Sequence, residues 1–226
     1  ALLHAQVVGT PDTPGLQLLL EGVDGLRLGD DDATRDTADA LMAVRGVASV
    51  AVRDGAGEIR QFAGPPLSPL RVLDRDLLLP PGSFFQSNWS LLPRLLHRAL
   101  DLAGAGPGAV AADIYGGIGV FGLFLAERGA DVTIVEIDSR AVAAARETAR
   151  AWGLPPERLS FVAAAAEEAV PLLPRLDVAV VDPPRTGLDA RTLAALIDGG
   201  APRIVYVSCS PVSYARDAAQ LARAGY

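Results

Sequence analysis

The sequence has no lysine and only one cysteine. All 20 of its basic residues are arginine, against 27 acidic residues, and the formal net charge is −7. The single cysteine, Cys209, excludes an internal disulfide and a metal or iron–sulfur site built from the cysteines of one chain. No apolar run approaches the roughly 20 residues that a membrane span needs. These absences favour a cytoplasmic protein that uses no metal and does not bind a membrane.

The net negative charge also affects which partners the protein is expected to bind. Proteins that bind long nucleic acids usually present a basic face, because released counterions supply much of the affinity, and no basic run is present here. Half of the residues are hydrophobic, with 23 glycines and 17 prolines, which is a globular composition with many turns. A chain of 226 residues can form one large domain and a small one, and we expect a monomer.

Residues 1–82 consist of short alternating segments, and we predict that they form a small α+β domain. Turn residues separate the segments, as they do in hairpins and short loops. The predicted strands are His4–Val8, Leu16–Leu20, Val47–Val52 and Glu58–Phe62, the predicted helix is Asp36–Val44, and the predicted turns and loops are Pro11–Gly15, Asp30–Asp32 and Asp54–Gly57.

From residue 83 to residue 226 apolar strands alternate with helices. This pattern predicts an α/β domain with a mainly parallel sheet covered on both faces, in the Rossmann-like class. The predicted strands are Val110–Ile114, Val132–Ile137, Leu159–Val162, Val178–Val181 and Ile204–Val207. Ligands of such sheets bind at the carboxyl ends of the strands, so the residues that follow each strand are the candidates for function.

Two features after the first two strands are typical of a nucleoside-binding site. A glycine-rich turn that includes Tyr115, Gly117 and Gly119 follows the first strand, and such turns let a ligand approach the backbone closely. Glu136 lies near the end of the second strand, where a carboxylate can accept hydrogen bonds from both ribose hydroxyls. Dinucleotide-dependent oxidoreductases share both features, and Glu136 could alternatively cap the next helix.

Two further features follow the fourth and fifth strands. Asp182 begins a stretch stiffened by Pro183 and Pro184, which suits a carboxylate that hydrogen-bonds to the edge of a planar base. Cys209 stands at the end of the fifth strand, just before a helix whose N-terminus would favour a thiolate. We favour Cys209 as a nucleophile over the alternative of a small buried residue.

As a set, these motifs resemble the RNA 5-methyluridine methyltransferases, a class I family that uses S-adenosyl-L-methionine. The resemblance runs from about Leu73 to Tyr226. It rests on Phe84-Phe85-Gln86, on the glycine turn from Asp113 to Phe121, on Asp182-Pro183-Pro184-Arg185-Thr186-Gly187, on the segment from Ile204 to Cys209, and on Ala215-Arg216-Asp217.

The resemblance implies a function and roles for individual residues. Gln86, Tyr115, Gly117, Glu136 and Asp182 would contact the methyl donor, and Cys209 would attack a uracil in ribosomal or transfer RNA. Apart from the resemblance, we expect residues 1–82 to contact the RNA, because the chemistry clusters after Ser83 and a methyl-donor fold alone selects no RNA. The family's base for the C5 proton, and its two last strands, would lie beyond Tyr226.

The sequence departs from the family pattern at two places in the donor site. Gly116 stands where the family usually has cysteine, and Ala163–Ala166 offer no polar side chain to an adenine. Two other functions are therefore considered as alternatives. One is a methyltransferase acting on an amino group, and the other is a non-catalytic RNA-binding protein on a methyltransferase fold.

Overall fold

The computed structural model describes residues 4–8, 16–21, 31–86, 88 and 90–226. These residues form two compact units, Ala1–Phe84 and Phe85–Tyr226. The predicted turn Pro11–Gly15 and Asp30 of the predicted acidic loop lie outside the described residues.

The first unit contains a four-stranded sheet, one helix and a separate hairpin. In the sheet, whose strand order is β1-β2-β3-β4, the β2–β3 pair is parallel and the other two pairs are antiparallel. Apolar side chains of β2 and β3 pack with Ala38 of α1 to form the core of the unit. The elements are β1 (His4–Val8), β2 (Leu16–Glu21), α1 (Asp32–Met42), β3 (Val47–Arg53), β4 (Ile59–Ala63), β5 (Ser68–Val72) and β6 (Arg75–Leu79).

Two features of the first unit differ from the sequence-based prediction. Helix α1 begins at Asp32 rather than Asp36, because Asp31 caps it by accepting a hydrogen bond from the backbone N–H of Thr34 at 2.7 Å. Asp31 and Asp32 thus start a helix and do not form a loop. The β5–β6 hairpin was not predicted, since Pro69 lies inside β5, and proline in a strand is tolerated where one edge is unpaired.

The second unit is a five-stranded parallel sheet with the order β11-β10-β7-β8-β9. This topology confirms the predicted Rossmann-like α/β fold. Its elements are α2 (Leu92–Ala103), β7 (Val110–Ile114), α3 (Val120–Glu127), β8 (Asp131–Glu136), α4 (Ser139–Ala151), β9 (Leu159–Ala163), α5 (Ala166–Ala169), β10 (Val178–Val181), α6 (Ala190–Gly199), β11 (Ile204–Tyr206) and α7 (Pro211–Arg223), with 3-10 turns at Pro156–Arg158 and Val170–Leu172.

Helices bury both faces of this sheet. On one face, α5, α6 and α7 contribute side chains to a core with β7 and β10. Helices α3 and α4 pack against β8, and α3 is buried along almost its whole length, from Val120 to Ala126. Within the described part of the chain, no helix is both long and apolar enough to cross a membrane. The covered faces leave the strand ends as the place for a ligand.

Candidate functional site

Backbone hydrogen bonds just past the strand ends align the predicted motifs side by side. The N–H of Gly116 donates to the carbonyl of Val135 at 3.0 Å, which places the glycine turn beside Glu136. The N–H of Asp182 donates to Ile114 at 3.2 Å, and that of Val207 donates to Val181 at 2.8 Å. The sheet register therefore brings the segments after β7, β8, β10 and β11 to the same edge.

A buried carboxylate holds the glycine turn after β7. Asp113 is fully buried, and its Oδ2 accepts a hydrogen bond from the N–H of Gly122 at 2.7 Å. A Cβ at Gly116 would lie 2.8 Å from Cγ2 of Ile134 and 3.1 Å from Cγ of Asp113. Burial is the main cause that raises the pKa of Asp113 to about 7; the hydrogen bond from Gly122 opposes the rise, and the nearby charges of Asp182 and Glu136 add to it. A larger side chain at Gly116, where the family usually has cysteine, would therefore require Ile134 or Asp113 to shift.

Gly117 and Glu136 lie in direct contact. The N–H of Gly117 donates to Oε2 of Glu136 at 2.9 Å, and the N–H of Asp138 donates to Oε1 at 2.8 Å. Gly117 has a φ of +54°, and a Cβ built on it would meet no atom within 4 Å. The next helix, α4, is capped by Asp138 through Arg140, so Glu136 is not its cap.

Tyr115 points away from this pair toward helix α6. Its hydroxyl donates to Oδ2 of Asp189 at 3.2 Å, and Asp189 is also the N-cap of α6. The backbone of Tyr115 has a φ of +63°, a left-handed conformation that a non-glycine residue adopts only when its surroundings hold it there. Burial raises the pKa of the Tyr115 hydroxyl to about 12. The structure thus ties Tyr115 to the segment that follows β10.

Gln86 and Asp182 are joined although they are 96 residues apart. Nε2 of Gln86 donates to Oδ2 of Asp182 at 2.7 Å. Burial raises the pKa of Asp182 to about 6, and the hydrogen bond from Gln86 opposes this rise because it stabilises the ionised form. The carboxylate is therefore fixed in direction and partly removed from water.

Cys209 is a free, exposed thiol. The alternative of a buried cysteine, considered from the sequence, is thereby excluded. Ser210, not Cys209, is the N-cap of α7, and Pro211 is the first helical residue. Cys209 thus lies one residue before the cap, and three residues after Tyr206 at the end of β11.

The site also contains residues to which the sequence analysis gave no role. Asp113 braces the glycine turn, Asp189 holds Tyr115, and the adjacent residues Arg216 and Asp217 contact the segment after β10. A buried acid at position 113 follows from the apolar strand that contains it, but the contacts of Asp189 and Asp217 join distant parts of the chain. Among the described residues, no group of three or more histidine, cysteine, aspartate or glutamate side chains could hold a metal ion.

Residues 77–203 match the family model of the methyltransferase small domain. The chain belongs to that family. The match covers the glycine turn, Glu136 and Asp182, and it confirms the assignment to the methyltransferases that the motifs suggested. The roles predicted for the individual side chains stay predictions.

Relatives of this methyltransferase domain include enzymes named for RNA. The chain is 36% identical over 162 residues to an uncharacterised RNA methyltransferase of Enterococcus faecalis, covering 69% of this chain and 34% of that protein. It is 34% identical over 165 residues to the tRNA (uracil(54)-C(5))-methyltransferase of Pyrococcus abyssi, covering 73% of this chain and 39% of that one. The chain thus spans somewhat more than a third of the length of these relatives.

Solved structures agree with the fold. The crystal structure of the Pyrococcus abyssi tRNA (uracil-54, C5)-methyltransferase in complex with S-adenosyl-L-homocysteine matches with a TM-score of 0.70 and 28% identity, covering 91% of this chain and 49% of that one. Precorrin 8w decarboxylase from Methanobacterium thermoautotrophicum matches with a TM-score of 0.58 and 22% identity, covering 66% of this chain and 78% of that one. The second likeness concerns the fold alone.

Proposed function

We propose that this protein transfers a methyl group from S-adenosyl-L-methionine to the C5 carbon of a uridine in ribosomal or transfer RNA. The observation that carries the proposal is the sheet register. It aligns the segment that begins with Asp182 with the one that leads to Cys209, beside the Gly117–Glu136 pair. The names of the relatives in Enterococcus faecalis and Pyrococcus abyssi support the RNA substrate, and the latter supports uracil C5.

The residues at the ends of β7 and β8 fit the methyl donor. The open space beside Gly117 lets a ligand reach the backbone of the turn. Each oxygen of Glu136 accepts one backbone N–H, and a carboxylate oxygen can accept a second hydrogen bond. Glu136 can thus hold the two ribose hydroxyls without losing its contact with Gly117. When bound, the donor supplies an electrophilic methyl group on a sulfonium.

Cys209 would supply the nucleophile that activates the base. C5 of uracil is a weak nucleophile, and addition of the Cys209 thiolate at C6 pushes the electrons of the C5–C6 double bond toward the C4 carbonyl. C5 then takes the methyl group, and the electron pair of the broken bond stays on the donor's sulfur. Removal of the C5 proton by a base restores the double bond and expels the thiolate.

Asp182 would hold the target base during this sequence. A uridine must leave its stack to reach an enzyme's cleft, and a carboxylate fixed by Gln86 can accept a hydrogen bond from the N3–H of the flipped base. In the same proposal, the first unit contacts the RNA, because a methyl-donor fold by itself does not select one RNA.

A covalent trap tests this function. RNA that contains 5-fluorouridine is prepared from a strain that lacks the gene. It is incubated with the protein and the donor and then run on a denaturing gel. Fluorine cannot leave C5 as a cation, so a methylated protein–RNA adduct should accumulate. Cys209→Ala should form none. If the wild-type protein gives no shifted band although it binds the donor, the C5 mechanism is wrong, and a shift that persists in Cys209→Ala moves the nucleophile elsewhere.

A further inference from the structure

Asp217 of α7 is a buried carboxylate with three donors around it. Its side chain has no exposed surface. Oδ2 accepts hydrogen bonds from the hydroxyl of Tyr206 at 2.7 Å and from the N–H of Leu188 at 2.8 Å. Oδ1 accepts one from Nε of Arg216 at 2.8 Å. A buried charge is tolerated only when it is paired in this way, so the position of each donor is closely specified.

Arg216 extends this contact along the segment after β10. Its Nη2 donates to the carbonyl of Thr186 at 2.9 Å and to that of Leu188 at 3.2 Å. Gly187, between these two residues, has a φ of +82°, and a Cβ there would lie 2.5 Å from Oδ2 of Asp217 and 2.6 Å from Nη2 of Arg216. The backbone of the segment is therefore packed directly against the Arg216–Asp217 pair.

The pair joins the two parts of the chain that carry the proposed chemistry. Asp182 begins the segment that Arg216 and Asp217 hold at residues 186–188. Tyr206, which donates to the Asp217 carboxylate, precedes Cys209 by three residues. Helix α7 begins two residues after Cys209. A displacement of about 1 Å between reacting groups can cost on the order of a hundredfold in rate. The pair is thus placed to fix the position of Cys209 relative to Asp182.

We propose that Arg216 and Asp217 are positioning residues, which hold the Cys209 end of β11 and the Asp182 segment at the spacing that the reaction needs. This inference rests on the proposed function, since it assigns both groups to one reaction. The Gly117–Glu136 pair, which would hold the ribose of the donor, lies outside these contacts. Loosening the pair should therefore slow the covalent step and leave donor binding nearly unchanged.

Two variants disturb the pair in different ways. Asp217→Asn removes the charge and one acceptor from a site that receives three hydrogen bonds. Gly187→Ala keeps every group of the pair and pushes the segment away from it. Gly200→Ala is the matched control, because Gly200 also has a positive φ, +59° at the end of α6, but a Cβ there would meet nothing within 4 Å. The control carries the backbone strain without the displacement.

The rate of adduct formation with 5-fluorouridine RNA and the donor dissociation constant are measured for all four proteins. We expect the rate of adduct formation to fall at least tenfold in Asp217→Asn and Gly187→Ala and to change less than threefold in Gly200→Ala. The donor dissociation constant should stay within threefold of the wild-type value in all three variants. Wild-type rates in the first two variants would overturn the inference while the proposed function stands. Equal losses of rate and donor affinity would also overturn it, in favour of a purely structural role.

If the wild-type protein forms no adduct, the uracil reaction is wrong, and the positioning of Cys209 is tested without RNA. Cys209 is the chain's only cysteine, so mass spectrometry follows its alkylation by iodoacetamide without interference. A rate altered at least tenfold in Asp217→Asn and Gly187→Ala, but not in Gly200→Ala, keeps the inference for whatever reaction Cys209 serves. An unaltered rate overturns it.

Discussion

The two halves of the candidate site are built in different ways. At the ends of β7 and β8, the backbone N–H groups of Gly117 and Asp138 donate to the Glu136 carboxylate, and these partners are at most 19 residues apart. At the ends of β10 and β11, side chains hold Asp182 and the segment before Cys209. These contacts reach from Gln86, 96 residues away from Asp182, and from Asp217, 29 residues away from Leu188.

Because of this difference, substitutions in the two halves of the site should have different effects on donor binding and on methyl transfer. The half at the ends of β7 and β8, here called the donor half, is formed by local chain geometry, so it is disturbed mainly by the loss of a group that touches the donor. The half at the ends of β10 and β11 is called the target half. The target half depends on distant side chains, so it can lose its geometry while the donor half stays intact. Substitutions should therefore split donor binding from methyl transfer according to the half in which they lie.

The largest difference between the effect on methyl transfer and the effect on donor binding is expected for substitution of Cys209. Replacing it with alanine removes the nucleophile, and methyl transfer should fall by roughly a thousandfold or more, since single catalytic groups that form covalent intermediates have effects on this scale. The thiol is exposed and belongs to the target half, so the donor dissociation constant should change less than twofold. Transfer of a radiolabelled methyl group and calorimetry measure the two quantities.

A loss of donor binding in Cys209→Ala would break the separation between the halves. Cys209→Ser is the matched control, because it keeps the size and a hydrogen-bonding group but not the thiol's nucleophilicity. It should be as inactive as Cys209→Ala.

Much of the second unit could be predicted from the sequence, because its signals are local. The strands Val110–Ile114 and Val178–Val181 have the predicted bounds; β9 and β11 differ by one residue at their C-terminal end, and β8 is shifted by one residue at both ends. Uninterrupted apolar runs between helices specify a buried parallel strand. Since the residues after such strands share one edge, the same pattern also predicted where the site lies.

The contacts that hold the site could not be predicted in this way. The hydrogen bonds of Asp217 with Tyr206 and Leu188 depend on how α7 packs beside the segment after β10, which no local pattern encodes. In the first unit, Pro69 concealed the β5–β6 hairpin, and the acidic run concealed the cap of α1 at Asp31. The contacts of Asp217 are tertiary, whereas the cap and the hairpin are local features that turn-forming residues concealed.

The next largest effect is expected for Glu136 in the donor half. Charge-assisted hydrogen bonds contribute roughly 1.5–3 kcal/mol each, so Glu136→Ala should weaken S-adenosyl-L-methionine binding at least tenfold. Glu136→Gln keeps the shape but loses the charge and one acceptor, and it should have an intermediate effect. Asp131→Ala is the control, since Asp131 is an exposed acid at the opposite end of β8. Calorimetric titration measures all three.

An unchanged dissociation constant in Glu136→Ala would mean that Glu136 only braces the glycine turn through Gly117 and Asp138. A loss in Asp131→Ala of the same size would point to net charge rather than to a contact with the donor.

The smallest effect is a shift in pH dependence at Gln86, which links the target half to the start of the second unit. Asp182 is a stronger hydrogen-bond acceptor for a base when it is ionised, and burial raises its pKa to about 6 against the opposing hydrogen bond from Gln86. Below that pH the protonated form accumulates, and kcat/KM for methyl transfer should fall. Gln86→Leu removes the hydrogen bond that favours the charged form. The pKa of Asp182 should rise, and the fall in kcat/KM should begin at a higher pH.

The informative quantity is the ratio of kcat/KM between Gln86→Leu and the wild-type protein across the pH range, because pH effects common to both proteins cancel. The ratio should fall a few-fold as the pH drops through 6, level off at lower pH where Asp182 is protonated in both proteins, and return toward one near pH 8 where Asp182 is ionised in both. The same substitution at the exposed Gln220 of α7 should give a ratio near one at every pH. A ratio for Gln86→Leu that is low but independent of pH would show that Gln86 acts on the donor or the RNA directly, and not through the ionisation of Asp182.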